Sequence, residues 1–135
     1  MAHIATLNYT GDLHNDIVHL QSGDKISTDA PVDNNGKGEA FSPTDLLASS
    51  LAACAMTIMG IKARDMGVDL RGSRIEVEKE MAANPRRVAR VSLDIYLDKA
   101  LDEKSRRILE AAAHACPVAK SLSADLLQEF RFHYE

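Results

Sequence analysis

The chain has no tryptophan, and only three phenylalanines and three tyrosines among its 135 residues. Proteins that hold single-stranded nucleic acid stack bases on aromatic rings, and here there is little to stack on. Positive charge is no more plentiful: 16 Lys and Arg stand against 20 Asp and Glu, a net charge of −4. The densest basic group, Arg86-Arg87-Val88-Ala89-Arg90, is too short for a phosphate-tracking stripe and reads as a solvated hairpin. Nucleic acid is therefore not expected as a partner. The opening Met-Ala-His-Ile-Ala-Thr has neither the basic start nor the apolar run of a secretory signal. Two cysteines, far apart in the chain, fall short of the disulfide framework of a small secreted domain. A cytoplasmic protein is expected, in which any pairing of these thiols is transient and chemical.

Other absences narrow the chemistry. There is no Cys-x-x-Cys and no pair of histidines at helical spacing, so no metal is expected. Ser49 and Ser50 lack the Gly-x-Ser-x-Gly elbow of a hydrolase, and no glycine-rich phosphate loop calls for a nucleotide cofactor. Leu46 to Ile61 carries no charge, but it falls short of the ~20 residues of a membrane span. It also contains Ser49, Ser50, Thr57 and Gly60, and Asp45 and Lys62 close its ends. It reads as a buried core helix, with no membrane involved.

What is present suits one domain over residues 1–135, at 45% hydrophobic and 27% charged. Ile4 to Tyr9 and Asp16 to Leu20 read as strands around the turn signal Thr10-Gly11-Asp12, and Lys25 to Thr28 as a third strand. Asp29 to Gly38, punctuated by Pro31 and Asn35-Gly36, is a loop. Ser42, Pro43 and Asp45 then form a helix start: an N-cap, a proline at the first helical position and an acid completing a capping box. Gly67 supplies the stop. A helix apolar nearly all round must be covered on most sides, more than so short a chain readily provides, and a partner subunit follows. From Arg74 the period changes to two. Ile75, Val77 and Met81, then Ala89, Val91, Leu93, Ile95 and Leu97, alternate with polar residues, as in a meander with one buried face. A helix over Asp102 to Ala115 buries Ile108, Leu109 and Ala112; Cys116-Pro117 opens a shorter one; Gln128 to Tyr134 is a closing strand with Phe130, Phe132 and Tyr134 on one face. The fold class is α+β, with antiparallel sheets around a long buried central helix.

Cys54 lies mid-helix in Leu51-Ala52-Ala53-Cys54-Ala55-Met56, where a cysteine commonly serves as a small buried hydrophobe with a suppressed thiolate. Cys116 sits at the N-cap of the helix that Pro117 begins, where free N–H groups favour a thiolate. On electrostatics alone Cys116 is the more acidic thiol.

The run Phe41-Ser42-Pro43-Thr44-Asp45-Leu46-Leu47, continuing to Cys54, resembles the Pro-x-x-Leu-Leu-x-x-x-x-x-x-Cys start of the central helix in the OsmC/Ohr family. Cys116-Pro117-Val118 resembles the family's second cysteine motif, with a strand pair and a helix between the two motifs in the family's order. Thr28 to Gly38 followed by Glu39-Ala40-Phe41 is similar to an OsmC-like subgroup. The resemblance implies an intertwined homodimer with its central helices packed together. It also implies a thiol peroxidase that reduces organic hydroperoxides as an antioxidant, with Cys54 attacking, Cys116 resolving, and a dithiol such as a lipoylated protein as reductant. That overrules the electrostatic ranking of the thiols. An apolar substrate pocket is expected near Leu47, Leu51 and Met59.

Classical members of that family use an N-terminal arginine to stabilise the thiolate, whereas this chain has no Arg before Arg64. His14 is the matching position, and a histidine serves there only when protonated. The arginine's usual carboxylate corresponds to Thr44, leaving Asp45 or Glu39 to compensate. These departures keep open a second reading, a ligand-binding or redox-sensing protein on the same fold with a degenerate peroxidase site.

Overall fold

The computed structural model describes residues 2–135, which divide into two compact units, residues 2–47 and 48–135. In the first, β1 (Ala5–Gly11), β2 (His14–His19) and β3 (Lys25–Asp29) form an antiparallel sheet in the order β1-β2-β3. Asp12 and Leu13 make the β1–β2 turn with φ of 56° and 59°, the left-handed geometry that matches strand twist. The expected loop then folds back on the sheet. Ala30 N–H reaches Leu13 O, Asp29 N–H reaches Phe41 O, and a single 3₁₀ turn spans Val32–Asn34. Gly36 is required here: a Cβ at that position would lie 1.7 Å from the Ala30 carbonyl oxygen.

The long helix α1 (Pro43–Asp65) begins as its sequence demands. Asp45 N–H donates to Ser42 Oγ at 3.0 Å, and Ser42 N–H donates back to Asp45 Oδ2 at 3.1 Å, a reciprocal capping box. It ends at Gly67 (φ 69°), where Val68 N–H bonds Ala63 O and Gly67 N–H bonds Arg64 O, so the last carbonyls are satisfied. By length and composition α1 could cross a membrane. It is instead the core helix of the second unit, where Ala48, Leu51, Ala52, Ala55, Met59 and Ala63 line one buried stripe. The opposite face is open: Ala53, Thr57 and Ile61 are exposed, so within one chain the helix is not covered all round.

The buried stripe meets the second sheet, β4 (Arg74–Ala82), β5 (Arg87–Leu97) and β6 (Leu127–Tyr134). Val91, Leu93, Ile95 and Leu97 of β5 are buried as their alternation predicts. A register shift near the hairpin pairs Met81 with Val88, so Val88 takes the inward place expected of Ala89. The expectation of wholly antiparallel sheets is also corrected, because β6 joins β5 in parallel. The intervening helices α2 (Glu103–His114) and α3 (Pro117–Ser121) form the long crossover that a parallel pair needs. Asp102 caps α2 through Ser105 N–H, and the helix buries Leu109, Ala112 and Ala113 while Ile108 stays half-exposed. On the polar side of the sheet, Asp94 accepts from Arg131 and His133, His133 stacks on Tyr96, and Arg74 lies over that ring.

Candidate redox site

Cys54 sits at mid-helix on α1, half-buried, at the margin of the stripe formed by Leu51, Ala55 and Met59. Cys116 lies between α2 and α3 and has no exposed surface. Pro117 takes the first helical position of α3, and the Cys116 sulfur accepts from Ala119 N–H at 3.4 Å, an N-cap made by a thiol. The neighbouring amide, Val118 N–H, donates to Cys54 Sγ at 3.5 Å. Consecutive amides of one short helix thus hold the two thiols of the protein, and the Cys116 thiol also meets that of Cys54.

The surroundings of Cys116 oppose the thiolate that its helix-start position would favour. Burial pushes its thiol above the ordinary range, and the adjacent Cys54 adds to the rise; the Ala119 amide opposes both without prevailing. A five-residue helix has little dipole to offer, and desolvation of a charged sulfur outweighs it. Of the two cysteines, Cys54 is the partly exposed one.

Leu51 and Met59, expected to line a pocket, have no exposed surface and belong to the core cluster that Cys54 packs against. Leu47 belongs to the first unit and is exposed. Thr44 Oγ1 lies 3.2 Å from Ser42 Oγ, and Asp45 is engaged in the capping box, so both serve the start of α1. Among the described residues no cluster of His, Cys, Asp and Glu is arranged to hold a metal.

His14 belongs to a polar constellation within the first unit. Its Nδ1 stands 2.5 Å from Asp29 Oδ1 and its Nε2 3.2 Å from Asp16 Oδ1, while Ser27 Oγ donates to that Asp16 oxygen. The other Asp29 oxygen accepts the backbone N–H of Glu39. His14, Asp29 and Glu39 border a cleft of about 240 Å³ that Asp12 and Lys37 also line. Both carboxylates raise the His14 pKa, the Asp29 hydrogen bond most strongly. Glu39 thus contributes its amide to Asp29, and its side chain is exposed.

The residues missed by sequence reasoning are Asp16, Asp29, Val118 and Ala119. His14-x-Asp16 on one strand face was a visible signal, but Asp29 enters only through the cross-strand register, opposite His14. Val118 and Ala119 act through their backbones, and a Cys-Pro N-cap signal foretells only the second.

The OsmC-like protein family matches the chain over residues 36–127. An osmotic stress induced and detoxification response protein from Psychrobacter arcticus 273-4 shares 53% identity and superposes with a TM-score of 0.96, covering 98% of this chain and 97% of its own. An organic hydroperoxide resistance protein OsmC from Legionella pneumophila is similar at 19% identity, TM-score 0.76 and 98% of each chain. An organic hydroperoxide resistance protein from Vibrio cholerae O1 biovar eltor, solved with captopril in one of its active sites, is similar at 18% identity and TM-score 0.74, over 98% of this chain and 92% of its own. At those identities the last two share the fold. No curated protein matches the chain. With two thirds of its length matched and a 53% identical relative along nearly all of it, the chain belongs to the OsmC-like protein family.

Proposed function

We propose that this protein is a cytoplasmic thiol peroxidase that reduces organic hydroperoxides to alcohols. The observation that carries this reading is the meeting of Cys54 and Cys116 at the start of α3, one residue partly exposed and the other fully buried. Cys54, as thiolate, attacks the outer peroxide oxygen; the O–O bond breaks and the alkoxide leaves as alcohol after taking a proton. The Cys54 sulfenic acid so formed condenses with the Cys116 thiol, releasing water and forming the disulfide. The net change is one hydroperoxide and two thiols converted to one alcohol, one water and one disulfide. An external dithiol, such as a lipoylated protein, restores both thiols by two exchange steps.

The active form is a homodimer. The open Ala53, Thr57 and Ile61 face of α1 and the exposed Leu7, Tyr9 and Ile26 on one face of the N-terminal sheet are apolar surfaces that a second copy would cover. The apolar flank of Cys54 favours fatty or aromatic hydroperoxides over hydrogen peroxide.

The test is consumption of cumene hydroperoxide with dithiothreitol or dihydrolipoamide as reductant. Turnover by the wild type and its loss in Cys54→Ser are expected. Absence of turnover by the wild type would overturn the proposal and leave a ligand-binding or redox-sensing protein on the same fold.

A further inference from the structure

The thiols do more than react: they are part of what holds α3 together. Few polar ties secure this helix. Lys120 N–H bonds Cys116 O, Ser121 Oγ bonds Pro117 O, and Gln128 Nε2 reaches from β6 to Ala119 O. Two further ties are the sulfur contacts, Val118 N–H to Cys54 and Ala119 N–H to Cys116.

We propose that α3 is a redox-sensitive latch, closed while Cys54 and Cys116 are thiols and released when they join in a disulfide. The inference rests on the pairing of these cysteines in the proposed function. Bonding requires each sulfur to turn toward the other and away from the amide from which it accepts. The amides of Val118 and Ala119 then lose their acceptors together. A partly buried amide without an acceptor is costly, and the cheapest remedy is for the segment to open to water. The location of the strain follows from the lengths of the elements. Cys54 is embedded in a helix of 23 residues that contributes much of the core, whereas α3 has five residues. Thus α3 yields and α1 does not.

No new oxidant is needed. The hydroperoxide of the proposed reaction takes two electrons from the thiol pair and leaves as alcohol and water. Diamide can take the same two electrons, becoming its hydrazine, and so forms the disulfide without any peroxidase step.

The experiment is amide hydrogen exchange by mass spectrometry on the full chain in its native assembly, reduced, oxidised with one equivalent of cumene hydroperoxide, and oxidised with diamide. In either disulfide form, confirmed by the loss of two hydrogens from the intact mass, exchange at residues 117–121 is expected to rise about tenfold or more, while residues 50–60 of α1 are unchanged. Dithiothreitol reverses the change. Cys116→Ser keeps an N-cap oxygen for Ala119 N–H and cannot form the disulfide, so its α3 stays protected after either oxidant. A verified intrachain disulfide with unchanged exchange at residues 117–121 overturns the latch. A disulfide that forms with diamide but not with the hydroperoxide overturns the peroxidase reading alone, and the diamide arm still decides the latch. Failure of both oxidants to join the cysteines overturns the latch together with the proposed pairing.

Discussion

His14 places a ring nitrogen 2.5 Å from the buried carboxylate of Asp29, directly across the β2–β3 pair, and its other nitrogen faces Asp16. Carboxylates only accept, so both contacts are hydrogen bonds only when both ring nitrogens carry protons. The geometry therefore selects the imidazolium.

The pH dependence has a definite sign. The His14 pKa is raised above 6.5, chiefly by Asp29, so its stabilising contribution is complete below that value and is lost as pH climbs through the higher native one. The Asp29 pKa is lowered from 3.8, chiefly by His14; its contribution is complete above that value and is lost as pH falls through the native one. The ring C–H resonance of His14 should titrate with a midpoint above 6.5, and Asp29→Asn should move it down. A wild-type midpoint at or below 6.5 would remove the imidazolium from the account.

Much of this was legible in the sequence where the signal is local. Ser42, Pro43, Asp45 and Gly67 announce both ends of α1, because caps are decided by residues next to one another. The alternation in β5 announces its buried face. What was not legible depends on partners distant in sequence. The parallel pairing of β6 follows from a crossover whose path no local pattern records, and the shift that turns Val88 inward is set against Met81 on another strand. Leu51 and Met59 were visible as apolar residues near Cys54, yet the same pattern suits a core or a pocket, and packing decides. The burial of Cys116 was not legible, because helix position is readable, whereas the desolvation of Cys116 is a property of everything packed around it.

Differential alkylation tests the burial of Cys116. Native protein treated with limiting iodoacetamide at pH 8 should carry label on Cys54 first, with Cys116 reacting only after denaturation, because Cys116 is sealed and its thiol is pushed upward in pKa. Labelling of both at equal rates would show that the native chain exposes Cys116.

The capping box gives a stability test away from the thiols. Ser42→Ala removes the acceptor of Asp45 N–H, and urea unfolding should show a loss of about 1 kcal/mol. A change of less than a few tenths would mean that the box contributes little.

Core packing should cost more. Leu93 has no exposed surface in the cluster beneath α1, so Leu93→Ala should destabilise by about 2–5 kcal/mol, whereas Val77→Ala, at a site 37% exposed, should cost under about 1 kcal/mol. Equal losses would contradict the assignment of the buried face.

The open face of α1 bears on assembly. Ala53, Thr57 and Ile61 lie four residues apart along one side of the helix, and small side chains at the first two positions allow another helix to approach closely. In sedimentation velocity the wild type should run as a dimer. Ala53→Arg introduces a long charged side chain where that neighbour would pack, and burying it without a partner charge costs several kcal/mol. The variant should shift to a monomer, or to a dimer weaker by about two orders of magnitude in Kd or more, which corresponds to roughly 3 kcal/mol. Because Ala53 is exposed in the single chain, the substitution leaves the core of the unit intact, and folding of the monomer is checked by its circular dichroism. A variant that stays fully dimeric at nanomolar concentration would place the interface elsewhere and leave this face of α1 to solvent.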